Sequence, residues 1–206
     1  MTMESVKWGF ERDRCALLVI DMQNYFVLEG APLEVPEARA RTPKIKRLIG
    51  KCRELGVPVI YTLHEPDPLY CKLEAAENLW LKDFGALEGT EEARVIDELS
   101  PRPGDVIVRK KRFSAFFQTD LELILRNIRG SEKPVDTVII CGAVTNICCE
   151  STARDAYFRD FKVVFGSDVC AAFTPESQNA TLENMKFFGR VLDLEAILGA
   201  LENGRG

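Results

Sequence analysis

Cys148 stands where a short apolar run, residues 137–141, breaks at Gly142 and a helical stretch follows. A thiol at a strand–turn–helix junction meets the positive end of the helix, whose unused N–H groups favour a thiolate. That is a nucleophile's position, although a buried structural thiol is the plainer reading. Cys149 is the rival, but neighbouring helix positions point about 100° apart. Only one of the pair can face the strand ends, and Cys148 lies nearer the helix start. A redox role for the pair is disfavoured, because strain opposes a disulfide between adjacent residues.

A thiol needs a base and a counter-charge. Asp21 follows the apolar run 16–20 and could serve as general base near the thiol, its pKa raised by partial burial beside Phe26. It could equally cap a turn. Lys110 lies within the basic run 109–112, and such runs are usually solvated. Here Phe113, Ala115, Phe116 and Phe117 follow at once, so part of the run turns toward the core. A buried ammonium there would stabilise both a thiolate and a carboxylate. His64, the chain's single histidine, allows a Cys–His dyad or a loop histidine bonded to backbone.

These residues need a scaffold that delivers them to one place. Apolar runs at 16–20, 57–62, 105–108, 137–141, 162–165 and 191–192 read as strands. Helical patterns alternate with them. Thr42 and Pro43 read as N-cap and first position of a helix ending at Gly56. Thr119 and Glu122 read as a capping box, and Thr174 caps a helix reaching about residue 188. Helices are also expected at 146–159 and 194–201, with one short helix near 91–99. Six alternations imply an α/β fold, a mostly parallel sheet with helices on both faces, as one domain over residues 1–206. Ligands of such sheets bind beyond the carboxyl ends of the strands. Asp21, Lys110 and Cys148 all leave strands at that edge.

Composition narrows the function classes. A net charge of -5 gives no electrostatic reason for a nucleic-acid or anionic-membrane partner. No run is long enough for a secretory segment or a membrane span. Seven cysteines, several in apolar contexts, fit a reduced, cytoplasmic protein better than a disulfide scaffold. One histidine and no zinc-like spacing argue against a histidine-rich metal centre. No GxGxxG, P-loop or GxSxG motif is present, so no cofactor is expected.

The segments VIDMQNYF at 19–26, KKRFSAF at 110–116 and GAVTNIC at 142–148, taken in order, resemble the isochorismatase-like cysteine hydrolases. That group includes N-carbamoylsarcosine amidohydrolase, nicotinamidases and ureidoacrylate-type amidohydrolases. The resemblance implies a Rossmann-like sheet in order 3-2-1-4-5-6 and an Asp21–Lys110–Cys148 triad. It implies a cis peptide between Ala143 and Val144, with the N–H groups of Val144 and Cys148 forming an oxyanion hole. Lys110 is then expected on an inward-turning loop beyond an outer strand. The implied reaction hydrolyses a C–N bond of a small amide, ureido or carbamoyl molecule through a thioester. A non-covalent vinyl-ether hydrolase and a non-catalytic binding module are the alternatives. One histidine cannot build the metal site of nicotinamidases, so no metal is expected. Pocket candidates are Gln23, Phe26, His64, Trp80, Phe113 and Thr145, and residues 64–100 are expected to shape substrate choice. Homo-oligomerisation is suggested by the resemblance and by Trp80 and Phe84.

Overall fold

A computed structural model describes residues 6, 8–67, 69, 71, 86–130 and 132–206. In chain order the elements are β1 (Cys15–Ile20), α1 (Asn24–Val27), α2 (Pro36–Glu54), β2 (Val59–His64) and β3 (Val106–Lys110), then α3 (Leu121–Asn127) and β4 (Thr137–Ala143). A turn of π-helix (Thr145–Cys149) leads into α4 (Glu150–Tyr157), followed by β5 (Lys162–Ala171), α5 (Pro175–Met185), β6 (Arg190–Leu192) and α6 (Leu194–Glu202). All strand pairs are parallel, in the order β3-β2-β1-β4-β5-β6. This is the expected α/β architecture and strand order.

β1 is buried throughout because both of its faces are covered. Its alternate residues part to opposite sides. Cys15, Leu17 and Val19 pack with Ile45, Leu48 and Cys52 of α2 and with Ile197 and Leu201 of α6. Ala16, Leu18 and Ile20 pack with Leu121 and Leu125 of α3 and with Ala153 and Ala156 of α4. The strand order reverses at β1, between β2 and β4, so the carboxyl ends of these strands open one crevice.

The structure departs from the sequence expectations in five places. α2 begins at Pro36, not at Thr42, and carries Pro43 in its interior. Pro36 already supplies the first-turn proline, and the Thr42 hydroxyl donates to Ala38 O at 3.0 Å instead of capping. Residues 91–99 form only a 3₁₀ turn, Asp97–Leu99. Their backbone is engaged elsewhere: Arg94 O and Glu92 O accept from Asn24 N and Tyr25 N, and Ile96 N donates to Met22 O. Glu122 does not close a capping box with Thr119; it pairs with Arg126 and Arg159, and Asp120 is the N-cap of α3. β5 runs on past Phe165 to Ala171 through a register shift against β4. Residues 145–149 are π-helical, closed by Cys149 N donating to Val144 O at 3.2 Å.

Candidate active site

Asp21 leaves the end of β1 with a φ of 46°, in the left-handed region that Asp tolerates better than most side chains. The turn aims its carboxylate back along the strand ends. Thr62 of β2 holds it from both sides: the Thr62 hydroxyl donates to Oδ1 at 2.6 Å and accepts from the Asp21 backbone N–H at 3.2 Å. Sequence reading passed over Thr62. A hydroxyl in an otherwise apolar, fully buried strand needs a partner, and that was the available signal.

Lys110 is the last residue of β3, so it does not arrive on a loop, as expected from sequence. β3 lies two strands from β1, roughly 10 Å away, and the long side chain crosses beneath β2 to reach Asp21. The ammonium is fully buried. Its Nζ lies 2.7 Å from Asp21 Oδ2, 3.5 Å from Cys148 Sγ, 3.3 Å from His64 Nδ1 and 3.2 Å from Arg112 O. Burial alone would lower the Lys110 pKa; the charges of Asp21 and Cys148 outweigh it and raise it, so the ammonium is held.

Cys148 sits in the π-turn at the mouth of β4, while Cys149 packs into the core below. Burial pushes the Cys148 thiol well above its usual range; Lys110 opposes this, and the Asp21 carboxylate, which accepts the thiol's hydrogen bond, adds to it. These surroundings favour the thiol, against the helix start, which favours a thiolate. β4 reaches this mouth through Gly142, whose φ is 119°. A Cβ there would stand 2.1 Å from Ile20 O, so only glycine lets β4 pass β1 so closely. The next peptide bond, Ala143–Val144, is cis.

His64 pairs in register with Lys110 across β2 and β3. Its contact is with the ammonium, not a dyad with the thiol. Burial, then the nearby Lys110 charge, holds its pKa well below the usual value and the imidazole neutral. Its Nδ1 faces the ammonium at 3.3 Å, and its Nε2 is buried. Ligand atoms of Asp21, His64 and Cys148 lie within 4.8 Å of one another, a spacing that a metal ion could use. The Lys110 ammonium touches all three residues, so a metal would have to displace a buried cation.

Above these groups opens a cavity of about 370 Å³. Phe26, Leu33, Phe113, Val144, Ile147 and Phe173 make its apolar wall, and His64, Asn146, Cys148 and Ser151 its polar points. Of the pocket candidates, Phe26, His64 and Phe113 line it. Gln23 does not: its amide is used up on His64 O, His64 N and Ala93 O, tying β2 to the segment after residue 86. Thr145 does not either; its hydroxyl donates to Gln178 Oε1 at 2.7 Å. Trp80 and Phe84 lie outside the described residues. Leu33, Ile147 and Phe173 escaped sequence reading, since apolar residues in loops and turns carry no periodic signal. Among the described residues no helix is long and apolar enough to cross a membrane.

Comparison with known proteins adds a second line. A ureidoacrylate amidohydrolase of Yersinia enterocolitica is 34% identical over 94% of this chain and 91% of its own length. Nicotinamidase 3 of Arabidopsis thaliana is 34% identical over 90% of this chain and 88% of its own. The crystal structure of a cysteine hydrolase from Pseudomonas syringae pv. phaseolicola superposes with a TM-score of 0.85 at 30% identity, covering 99% of this chain and 100% of that one. The Isochorismatase domain model matches residues 15–196, from the first residue of β1 into α6. A match that takes in every strand and all three converging side chains makes this chain a member of the isochorismatase-like hydrolase superfamily.

Proposed function

We propose that the protein is a cysteine amidohydrolase that cleaves the C–N bond of a small amide, ureido or carbamoyl substrate. One observation carries the reading: a fully buried ammonium bridges a carboxylate, at 2.7 Å, and a thiol, at 3.5 Å, and that thiol lines a cavity of about 370 Å³. The names of the ureidoacrylate amidohydrolase and nicotinamidase relatives support the substrate class.

Asp21 takes the proton of Cys148 as the sulfur attacks the carbonyl carbon. The high thiol pKa keeps the nucleophile protonated until a carbonyl is present, and Lys110 then stabilises the thiolate that forms. The oxyanion is held by the N–H groups of Val144 and Cys148, donors of a kind whose removal costs on the order of 10² in rate. Asp21 returns the proton to the departing nitrogen, leaving a thioester on Cys148. Water, deprotonated by Asp21, then releases the acid and restores the thiol. The acyl portion rests against the apolar wall of Phe26, Phe113 and Phe173.

The reading is tested with Cys148→Ala and Asp21→Asn over a panel of primary amides, ureido acids and carbamoyl acids. Both variants are expected to lose turnover while binding of a slow substrate persists. Full activity in either one removes the mechanism.

A further inference from the structure

Outside the triad, one buried side chain ties the turn that carries the cysteine to β5. Gln178 of α5 accepts from the Thr145 hydroxyl through Oε1, at 2.7 Å. Its Nε2 donates to Ser167 O at 3.0 Å and to Cys170 O at 3.1 Å. Both carbonyls belong to the irregular stretch of β5, where the register against β4 shifts. Arg41 of α2 reaches the same two carbonyls from the other side.

The polarity of this chain of bonds is fixed. Carbonyls only accept, so the NH₂ of Gln178 must face Ser167 and Cys170, and Oε1 must face Thr145. The Thr145 hydroxyl is thereby compelled to donate. Thr145 is completely buried, is joined directly to Val144, and opens the π-turn that ends with Cys148 and Cys149. Within the turn, Cys149 N and Ile147 N both return to Val144 O, and Glu150 N returns to Ile147 O and Thr145 O. Those bonds close the turn on itself, and Gln178 ties it to β5.

We infer that Gln178 is a positioning residue for catalysis: through Thr145 it holds the Val144–Cys148 turn, and so aims the oxyanion-binding N–H groups. This rests on the thioester reading above. It assigns to α5 a part in the reaction that neither its distance from the cavity nor the triad suggests.

The test separates two chemistries of Cys148. Alkylation by iodoacetamide needs the thiol and its base but builds no oxyanion. Acylation by p-nitrophenyl acetate needs both, and its rate is read from the burst of p-nitrophenolate. Gln178→Met and Thr145→Val are expected to slow acylation on the order of tenfold, part of what loss of an oxyanion donor costs. Alkylation is expected to stay within about twofold, because Asp21 and Lys110, which govern the thiol, stand at the ends of β1 and β3, outside the turn. Thr145→Ser keeps the hydroxyl and restores acylation. The double variant is expected to be no slower than either single one, because both cut one bond. Should Gln178→Met fail to fold, Thr145→Val, which keeps the shape of the side chain, decides alone. A burst in the wild type that persists at full rate in the variants overturns this inference only, as does equal slowing of alkylation and acylation. Wild-type release of p-nitrophenolate that survives unchanged in Cys148→Ala overturns the thioester reading and this inference with it.

Discussion

Lys110 offers three N–H bonds to four acceptors, on Asp21, Cys148, His64 and Arg112. On the proposed mechanism, surplus acceptors would let one N–H pass from carboxylate to sulfur as the proton moves the other way. They also make Lys110 a structural residue. Lys110→Met would leave the buried Asp21 carboxylate without its cation. A loss of about 3–5 kcal/mol is expected, measurable by urea unfolding, together with loss of turnover. Stability unchanged within error would show that Asp21 is satisfied by Thr62 alone. At this scale the sequence was informative about placement: Asp21, Lys110 and Cys148 were expected at one sheet edge and do lie together there, with Cys148, and not Cys149, lining the cavity. Thr62 and Gln178 were not. Their importance lies in partners 41 and 33 residues away in the chain, and no local pattern encodes such a separation.

Among the elements, the crossing of β1 and β4 is the least forgiving. Gly142→Ala places a methyl 2.1 Å from Ile20 O at a φ that L side chains rarely adopt. A loss of more than about 3 kcal/mol is expected, and a chemical-denaturation midpoint within error of wild type would contradict the packing. Strands and most helices were legible because burial on one or both faces imposes a period. Three local signals misled. Pro43 looked like a helix start, yet Pro36 had already begun the helix one turn and more upstream. Residues 91–99 have helical composition, yet their backbone pairs with residues 22–25 and props the Asp21 turn. The apolar run at 162–165 looked like the whole strand, yet β5 passes through an irregularity and continues to Ala171. In each case tertiary hydrogen bonds overrode a propensity worth less than they are.

The whole molecule carries one histidine, and that histidine is buried and neutral. The sign follows. Below about pH 6.5 the unfolded chain binds a proton at His64 that the folded chain refuses. Folding then expels a proton, so stability falls as the pH drops, with a slope approaching 1.4 kcal/mol per pH unit. His64→Gln is expected to remove that slope between pH 6.5 and 5, before carboxylates dominate; an unchanged slope would mean that His64 is protonated in the fold. The strand order and the two-faced core were accessible from alternation and resemblance, because they are properties of the whole pattern. The cavity was legible only in part, at Phe26, His64 and Phe113, because its lining is assembled from stretches far apart in the chain.

The buried ammonium has one further consequence. Ammonium, carboxylate and thiol sum to zero net charge, and they still sum to zero once the proton has crossed from sulfur to oxygen. On the proposed mechanism, the net charge of the site therefore does not change when the nucleophile is armed. Dissolved ions screen exposed charge but have nothing here to screen. For an uncharged substrate, acylation should proceed at nearly the same rate from dilute buffer to molar salt, while a charged substrate would show its own salt dependence and nothing more.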